Sequence, residues 1–269
     1  MEISNQVPDG KVNVTDRSPL MELLLLLSGA LGIIVALYFL LGFLVDFSVQ
    51  YLSPENEQAL AKHFSSNWES NLKKETAKVQ VLLDKLQSDC AKLSYQTKAF
   101  VIDQKTINAG ALPGGTILVF SGLLDKMKSE NELVFVLGHE LGHFKNKDHL
   151  KGLGRGVILL VLSNLVLGPD NALNDIIFGS LNIANSKFSR EQESEADEFA
   201  LNALNCYYGH VGGAADFFSM MSKQQGDPKL WDEFLASHPS GSTRIQDIHS
   251  LADKKGYFQK ATIPFSLSK

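Results

Sequence analysis

Leu133-Val134-Phe135-Val136-Leu137-Gly138-His139-Glu140-Leu141-Gly142-His143 carries a His-Glu-x-x-His motif inside a dense apolar run. On a helix, residues four apart share a face about one turn apart. His139 and His143 would then offer two imidazole nitrogens to one metal ion. Glu140, about 100° round the same helix, would reach a water on that ion. The flanks support a helix. Ser129-Glu130-Asn131-Glu132 has the form of a capping box, with Ser129 as N-cap and Glu132 reaching back. Apolar residues recur at Leu141 and Phe144, and Lys145 and Lys147 follow near the C-terminal end, where cations suit the helix dipole. The helix is mostly buried, and two histidines inside it need a reason. The motif fixes only three of five positions, so the rest of the chain has to supply it.

At 269 residues the chain has room for one sizeable domain or two small ones, and a formal net charge of -5 argues against nucleic acid as a partner. Residues 1–22 are polar, with Pro8, Gly10 and Pro19, and read as a disordered tail. Leu23 to Val45 is 23 residues without a charge, against about 20 needed to cross a bilayer core. The run is too long and starts too late for a cleavable signal, and no small-x-small site follows it. It reads as one membrane anchor contacting lipid through 23–45. Lys11 and Arg17 precede it and no Lys or Arg follows until Lys62, which puts the N-terminus in the cytoplasm and the catalytic part on the non-cytoplasmic, periplasmic side. Cys90 and Cys206 lie far apart and read as two free thiols.

Ser53-Pro54-Glu55 starts a helix. Residues 46–96 read as helical and packed on the catalytic core, through Leu60, Phe64, Trp68 and Leu72 and then Val79, Leu82, Leu83 and Leu86. Ala99–Asp103 and Thr116–Phe120 read as strands, with Ile107 to Gly115 as a proline- and glycine-rich turn between them. A strand edge there can pair with an extended peptide. Val157 to Leu167 is an apolar run of 11 residues, too short to span a membrane. Ile176 to Phe178 is a second apolar patch. Ser189 and Gln192 stand in capping-box register at the start of another helix, and Ala214–Met221, Leu230–Leu235 and Ser242–Leu251 read as further helices. Residues 97–255 form the catalytic domain and 256–269 a peripheral tail. The fold class is α+β: a mostly helical domain with a small sheet, plus one N-terminal transmembrane helix.

A catalytic zinc takes three protein ligands and keeps one position open. His139 and His143 supply two. Asp148, His149, Glu191, Glu193, Glu195, Asp197, His210 and His238 are candidates for the third. His149 is too close along the chain to wrap the same ion and reads as a helix-end histidine near the negative pole of the dipole. Asp148 reads as a solvated loop carboxylate. His63, His210 and His249 receive no role. Glu193 and Asp197, four apart on a second helix, form the best pair; spacing does not say which one binds.

Five separate pieces now occur in order: Asn108-Ala109-x-Ala111-x-Pro113-Gly114-Gly115, Gly122-Leu123-Leu124, the His139–His143 motif, Ser189-Arg190-x-x-Glu193-x-x-Ala196-Asp197, and His238-Pro239 with Arg244. Together they resemble the gluzincin zinc metallopeptidases typified by the heat-shock protease HtpX, the CaaX prenyl protease and the mitochondrial OMA1 protease, over roughly residues 55 to 252. The resemblance implies one Zn2+ per chain, with His139, His143 and Glu193 as ligands and Asp197 supporting a ligand. It implies Glu140 as general base, His238 as stabiliser of the oxyanion, and Asn108, Ala109, Pro113, Gly114 and Gly115 along the substrate cleft. It implies a zinc metalloendopeptidase acting on membrane or misfolded polypeptides. HtpX and the prenyl protease carry several transmembrane helices; this chain, with one clear span, looks like a single-anchor member. A non-proteolytic, zinc-containing, chaperone-like binding protein is the competing reading, and the intact Glu140 argues against it, since structure alone does not need that carboxylate.

Overall fold

The computed structural model describes residues 18–64, 76–168, 171–173, 188–222, 234, 237–238 and 243–266, with side chains of 60–64 excepted. Most of the tail, Trp68, Leu72, the 176–178 patch, Pro239 and most of the 230–235 helix lie outside the described residues.

Helix α1 spans Pro19–Gln50, with Ser18 accepting from the Met21 amide at its start and Pro19 at the first position, where no amide is needed. Its 32 residues are long and apolar enough to cross a membrane, and its side chains are nearly all exposed. Helix α2 (Pro54–Phe64) follows after a sharp corner, and α3 (Thr76–Asp89) buries Val79, Leu83 and Leu86.

Three strands follow: β1 (Lys98–Ile102), β2 (Ala109–Leu112) and β3 (Thr116–Phe120), in the order β1-β3-β2. β1 runs parallel to β3, and β2 antiparallel to it with Ala109 opposite Val119 and Leu112 opposite Thr116. The 107–115 stretch is therefore more than a turn. Its first half is itself a strand, and only Pro113-Gly114-Gly115 turns, with both glycines in the left-handed region (φ 84° and 79°) that side chains disfavour. One edge of the sheet is closed by α3: Gln80 accepts from the Ala99 amide (2.7 Å) and Thr76 from that of Val101 (3.0 Å). β2 is the other edge, and among the described residues no strand pairs with its outer side.

After the short α4 (Ser121–Leu124) comes α5 (Glu130–Asn146). Ser129 caps it as its spacing predicts, accepting from the Glu132 amide, with Glu132 returning to Ser129 Oγ and the Lys128 amide. α5 is buried from Asn131 to Phe144 and packs antiparallel on α7 (Arg190–Tyr208), whose Ser189/Gln192 capping box is complete. The two backbones touch at small residues. A Cβ on Gly138 would lie 3.1 Å from Ala200 Cα, and one on Gly142 2.8 Å from Ala196 Cα. Helices α8 (Asp216–Ser222) and α9 (Arg244–Lys254) close the domain. The 256–266 stretch is bonded to the start of α5: Glu130 N–H donates to Ile263 O, and Ile263 N–H to Asn131 Oδ1.

Three further expectations change. The 157–167 run is only the second half of α6 (Asp148–Leu167), a 20-residue helix and the second one long and apolar enough to cross a membrane. Sequence split it because Lys151 and Arg155 interrupt its first turns. Arg155 pairs with Asp46 of α1, and Gly154 lies against Val45 so closely that a Cβ there would meet Val45 Cγ1 at 2.5 Å. Lys147, in the left-handed link between α5 and α6, donates to Val49 O, Gln50 O and Leu52 O (3.1, 3.3 and 2.6 Å), placing a cation at the C-terminal end of α1, where it suits the helix dipole. Secondly, Cys90 and Cys206 are not free thiols but a disulfide. The ends of α3 and α7 meet because both helices pack on α5, which a separation of 116 residues conceals. Thirdly, Asp148 and His149 are buried at the start of α6, not a solvated carboxylate and a helix-end imidazole.

Because Ala196 Cα leaves no room for a methyl group, Gly142→Ala is expected to separate α5 from α7 and lower stability by about 1–3 kcal/mol. Thermal unfolding of the detergent-solubilised variant measures this as a lower midpoint; an unchanged midpoint would show that the seam is not tight.

Candidate metal centre

The small-residue seam places His139 and His143, each next to a seam glycine, opposite Glu193 and Asp197 on α7. One ligand atom from each of His139, His143, Glu193 and His238 falls within 4.8 Å of the others, and all four residues are buried. The Nε2 atoms of His139 and His143 lie 3.1 Å apart. Glu193 Oε1 lies 3.4 Å from His143 Nε2, and Glu193 Oε2 3.6 Å from His139 Nε2.

The far side of each imidazole is held by a carboxylate. His139 Nδ1 meets Asp197 Oδ1 at 2.9 Å, and His143 Nδ1 meets Asp148 Oδ2 at 3.0 Å. A carboxylate at Nδ1 keeps the proton there and leaves Nε2 as a lone-pair donor turned inwards. Asp148 is fixed in turn by Gln192 (2.8 Å) and Lys151 (3.2 Å). Phe188 stacks on His143, with ring centroids 3.9 Å apart at 16°.

Arg244 completes the frame. Its guanidinium donates to both oxygens of Asp197 at 2.7 Å and pairs with Glu193 Oε2 at 2.6 Å, while its cation rests 4.2 Å over the Phe218 ring. Burial pushes both carboxyls up. Arg244 leads for Asp197, and the surrounding imidazoles for Glu193, in outweighing that and holding each below its usual range. For His143, burial acts downwards, but bonds from Asp148 and Glu193 raise it to about 9.

The donor set suits zinc: two inward imidazole nitrogens and one carboxylate, with the His238 imidazole beside them. The surrounding atoms agree. Among the described residues, both oxygens of Glu140 and Nε2 of His238 are buried without a hydrogen-bond partner, 3.6 Å from each other at their nearest. Such orphaned groups are costly in a finished core and ordinary beside a site that receives water and substrate.

Of the other sequence candidates, Glu191 and Glu195 are exposed, Glu195 accepting from Asn146, and His210 bonds the Gly212 amide. His249 is exposed, and the His63 side chain lies outside the described residues. Asn108 is buried and accepts from the Ala109 amide; Ala109 opens β2, and Pro113, Gly114 and Gly115 form its turn. Sequence reasoning missed Asp148, Gln192, Phe188 and Arg244 as supports. Arg244 stood in a motif without a role, and the only hint of Asp148 was a carboxylate five residues after His143.

Residues 73–252 match the family model described as Peptidase family M48. The chain belongs to peptidase family M48. Its members are zinc enzymes. The chain is 31% identical over 153 residues to "Mitochondrial metalloendopeptidase OMA1" of Arabidopsis thaliana, covering 55% of this chain and 30% of the relative. It is 31% identical over 160 residues to "Metalloprotease LoiP" of Escherichia coli, covering 56% and 61%. It is 30% identical over 150 residues to "Metalloprotease YcaL" of the same organism, covering 53% and 57%. The matches thus span between 30% and 61% of these relatives' lengths.

In this family member, Asp148→Ala should leave the fold intact and weaken zinc binding about 10–100-fold, because it frees the His143 ring without removing a donor. Competition against a chromophoric chelator measures the loss; wild-type affinity in the variant would remove Asp148 from the support of the site.

Proposed function

We propose that the protein is a membrane-anchored zinc metalloendopeptidase that hydrolyses peptide bonds in membrane or misfolded polypeptides. The observation that carries this reading is the pair of carboxylate-backed imidazoles turning their Nε2 atoms towards Glu193, with the unpartnered carboxylate of Glu140 alongside.

His139, His143 and Glu193 hold one zinc per chain, and Asp197 orients His139. Zinc in such a site supplies Lewis-acid chemistry, acidifying a water and polarising a carbonyl. Glu140 accepts the proton of the attacking water at a carboxylate oxygen and returns it to the leaving nitrogen. His238 has its Nδ1 2.9 Å from Glu193 Oε1 and its Nε2 without a partner among the described residues; with a proton on Nε2 it would donate to the developing oxyanion. The open edge of β2, from Asn108 and Ala109 to the Pro113-Gly114-Gly115 turn, receives the substrate as an added strand.

α1 anchors the chain in the bilayer, with α6 packed against it. The catalytic domain lies on the non-cytoplasmic side. Lys11 and Arg17 before the span favour that orientation, and so does the Cys90–Cys206 disulfide, which ends at an exposed Cys206 and persists in an oxidising compartment.

Glu140→Gln tests the reading. It should bind zinc as the wild type does and cleave an unfolded polypeptide about 10²–10⁴-fold more slowly. Undiminished cleavage would sink the mechanism, and a chaperone-like role would survive the change. For orientation, an alkaline phosphatase reporter fused after Lys269 should be active; activity only from a cytoplasmic reporter would reverse the assignment.

A further inference from the structure

Glu57 belongs to none of the motifs above, yet it is completely buried. It sits in the first turn of α2, just past the corner that ends α1, and its amide donates to Ser53 O at 3.0 Å. Three donors from three parts of the chain converge on its carboxylate. The Gly114 amide donates to Oε1 at 3.0 Å, His149 Nε2 meets Oε1 at 3.0 Å, and the Tyr95 hydroxyl lies 3.2 and 3.3 Å from Oε1 and Oε2. Among the described residues its ion-pair partner is an imidazole, with no lysine or arginine. Burial pushes this carboxyl up, and the bonds from His149, Gly114 and Tyr95 outweigh that and hold it below its usual range.

The donors say what the carboxylate fixes. Gly114 is the middle of the turn that joins the open strand β2 to β3. Tyr95 packs against the same turn: a Cβ on Gly115 would meet Tyr95 Cε2 at 2.9 Å. His149 opens α6, and its ring lies edge-on to Phe144 of α5, with centroids 4.7 Å apart. One buried side chain therefore ties the end of β2 to the place where α1, α5 and α6 meet. Apolar side chains of similar volume often serve mere packing as well as buried charge does. A carboxylate held by three directional donors fixes geometry instead.

We infer that Glu57, oriented by His149, is a positioning residue for substrate: it pins the Gly114 amide and sets the end of β2 against the membrane-side corner of the domain. The inference rests on β2 being the substrate edge. Glu57 bonds no residue of the metal cluster, so polypeptide binding depends on it and bond cleavage does not.

The test uses the full-length, zinc-loaded chain in detergent, with Glu57→Ala, Glu57→Gln and His149→Leu. Kinetics on an unfolded polypeptide and hydrogen exchange of the 108–120 segment are read together with zinc content. Loss of the acceptor in Glu57→Ala should raise KM about tenfold and leave kcat within about twofold, with zinc unchanged. Exchange should accelerate at 109–116 and stay as in the wild type in α5 and α7. Glu57→Gln keeps one acceptor for Gly114 and should fall between wild type and Ala; His149→Leu should move KM and local exchange in the same direction. These two variants carry the test should the Ala variant fail to fold. Loss of kcat and zinc at unchanged KM, exchange rising equally in α5 and α7, or no change in either readout would each overturn the inference. A wild-type chain that cleaves nothing would instead refute the peptidase reading, and the exchange comparison would still decide whether Glu57 pins the turn.

Discussion

The close approach of α5 and α7 is the constraint on which the site depends. Gly138 and Gly142 on one helix meet Ala200 and Ala196 on the other, four residues apart on each. That repeat makes one antiparallel seam a full turn long. His139 and His143 follow the two glycines, while Glu193 and Asp197 lie three residues ahead of the alanines, so the same repeat brings imidazoles and carboxylates to one level. With larger residues in the seam, the helices would stand further apart and the 2.9 Å contact between His139 and Asp197 would open. The packing and the chemistry are therefore one choice of sequence.

Charge sets the second constraint. Glu140, Glu193, Asp197 and Asp148 are all buried around three imidazoles. Buried carboxylates are costly unless paired. Arg244 answers Asp197 and one oxygen of Glu193, and Asp148 has His143, Gln192 and Lys151. Glu140 has no hydrogen-bond partner of its own among the described residues. A doubly charged ion held at the inward nitrogens would balance what the side chains leave over, and a water beside it would give Glu140 a partner.

Local pattern carried much of this in the sequence. The caps at Ser129 and Ser189 follow from residues three apart, and α1 follows from 23 uncharged residues in a row. Glu193 and Asp197 were legible as a pair because a helix repeats every 3.6 residues. The illegible parts depend on long-range contact. Lys151 and Arg155 made the start of α6 look unlike an apolar helix, and only their pairing with Asp148 and with Asp46 of α1 shows why cations stand there. β2 was hidden because alanine and glycine carry little strand preference; its pairing with β3 makes it a strand. The disulfide was hidden because the order of helices around α5 brings Cys90 to Cys206.

Zinc X-ray absorption spectroscopy of the purified full-length protein tests the central claim most directly. The account predicts one zinc per chain, bound by imidazole nitrogen and carboxylate or water oxygen with no sulfur, and loss of the carboxylate contribution in Glu193→Ala. Sulfur in the coordination sphere, substoichiometric zinc, or an unchanged spectrum in Glu193→Ala would contradict it.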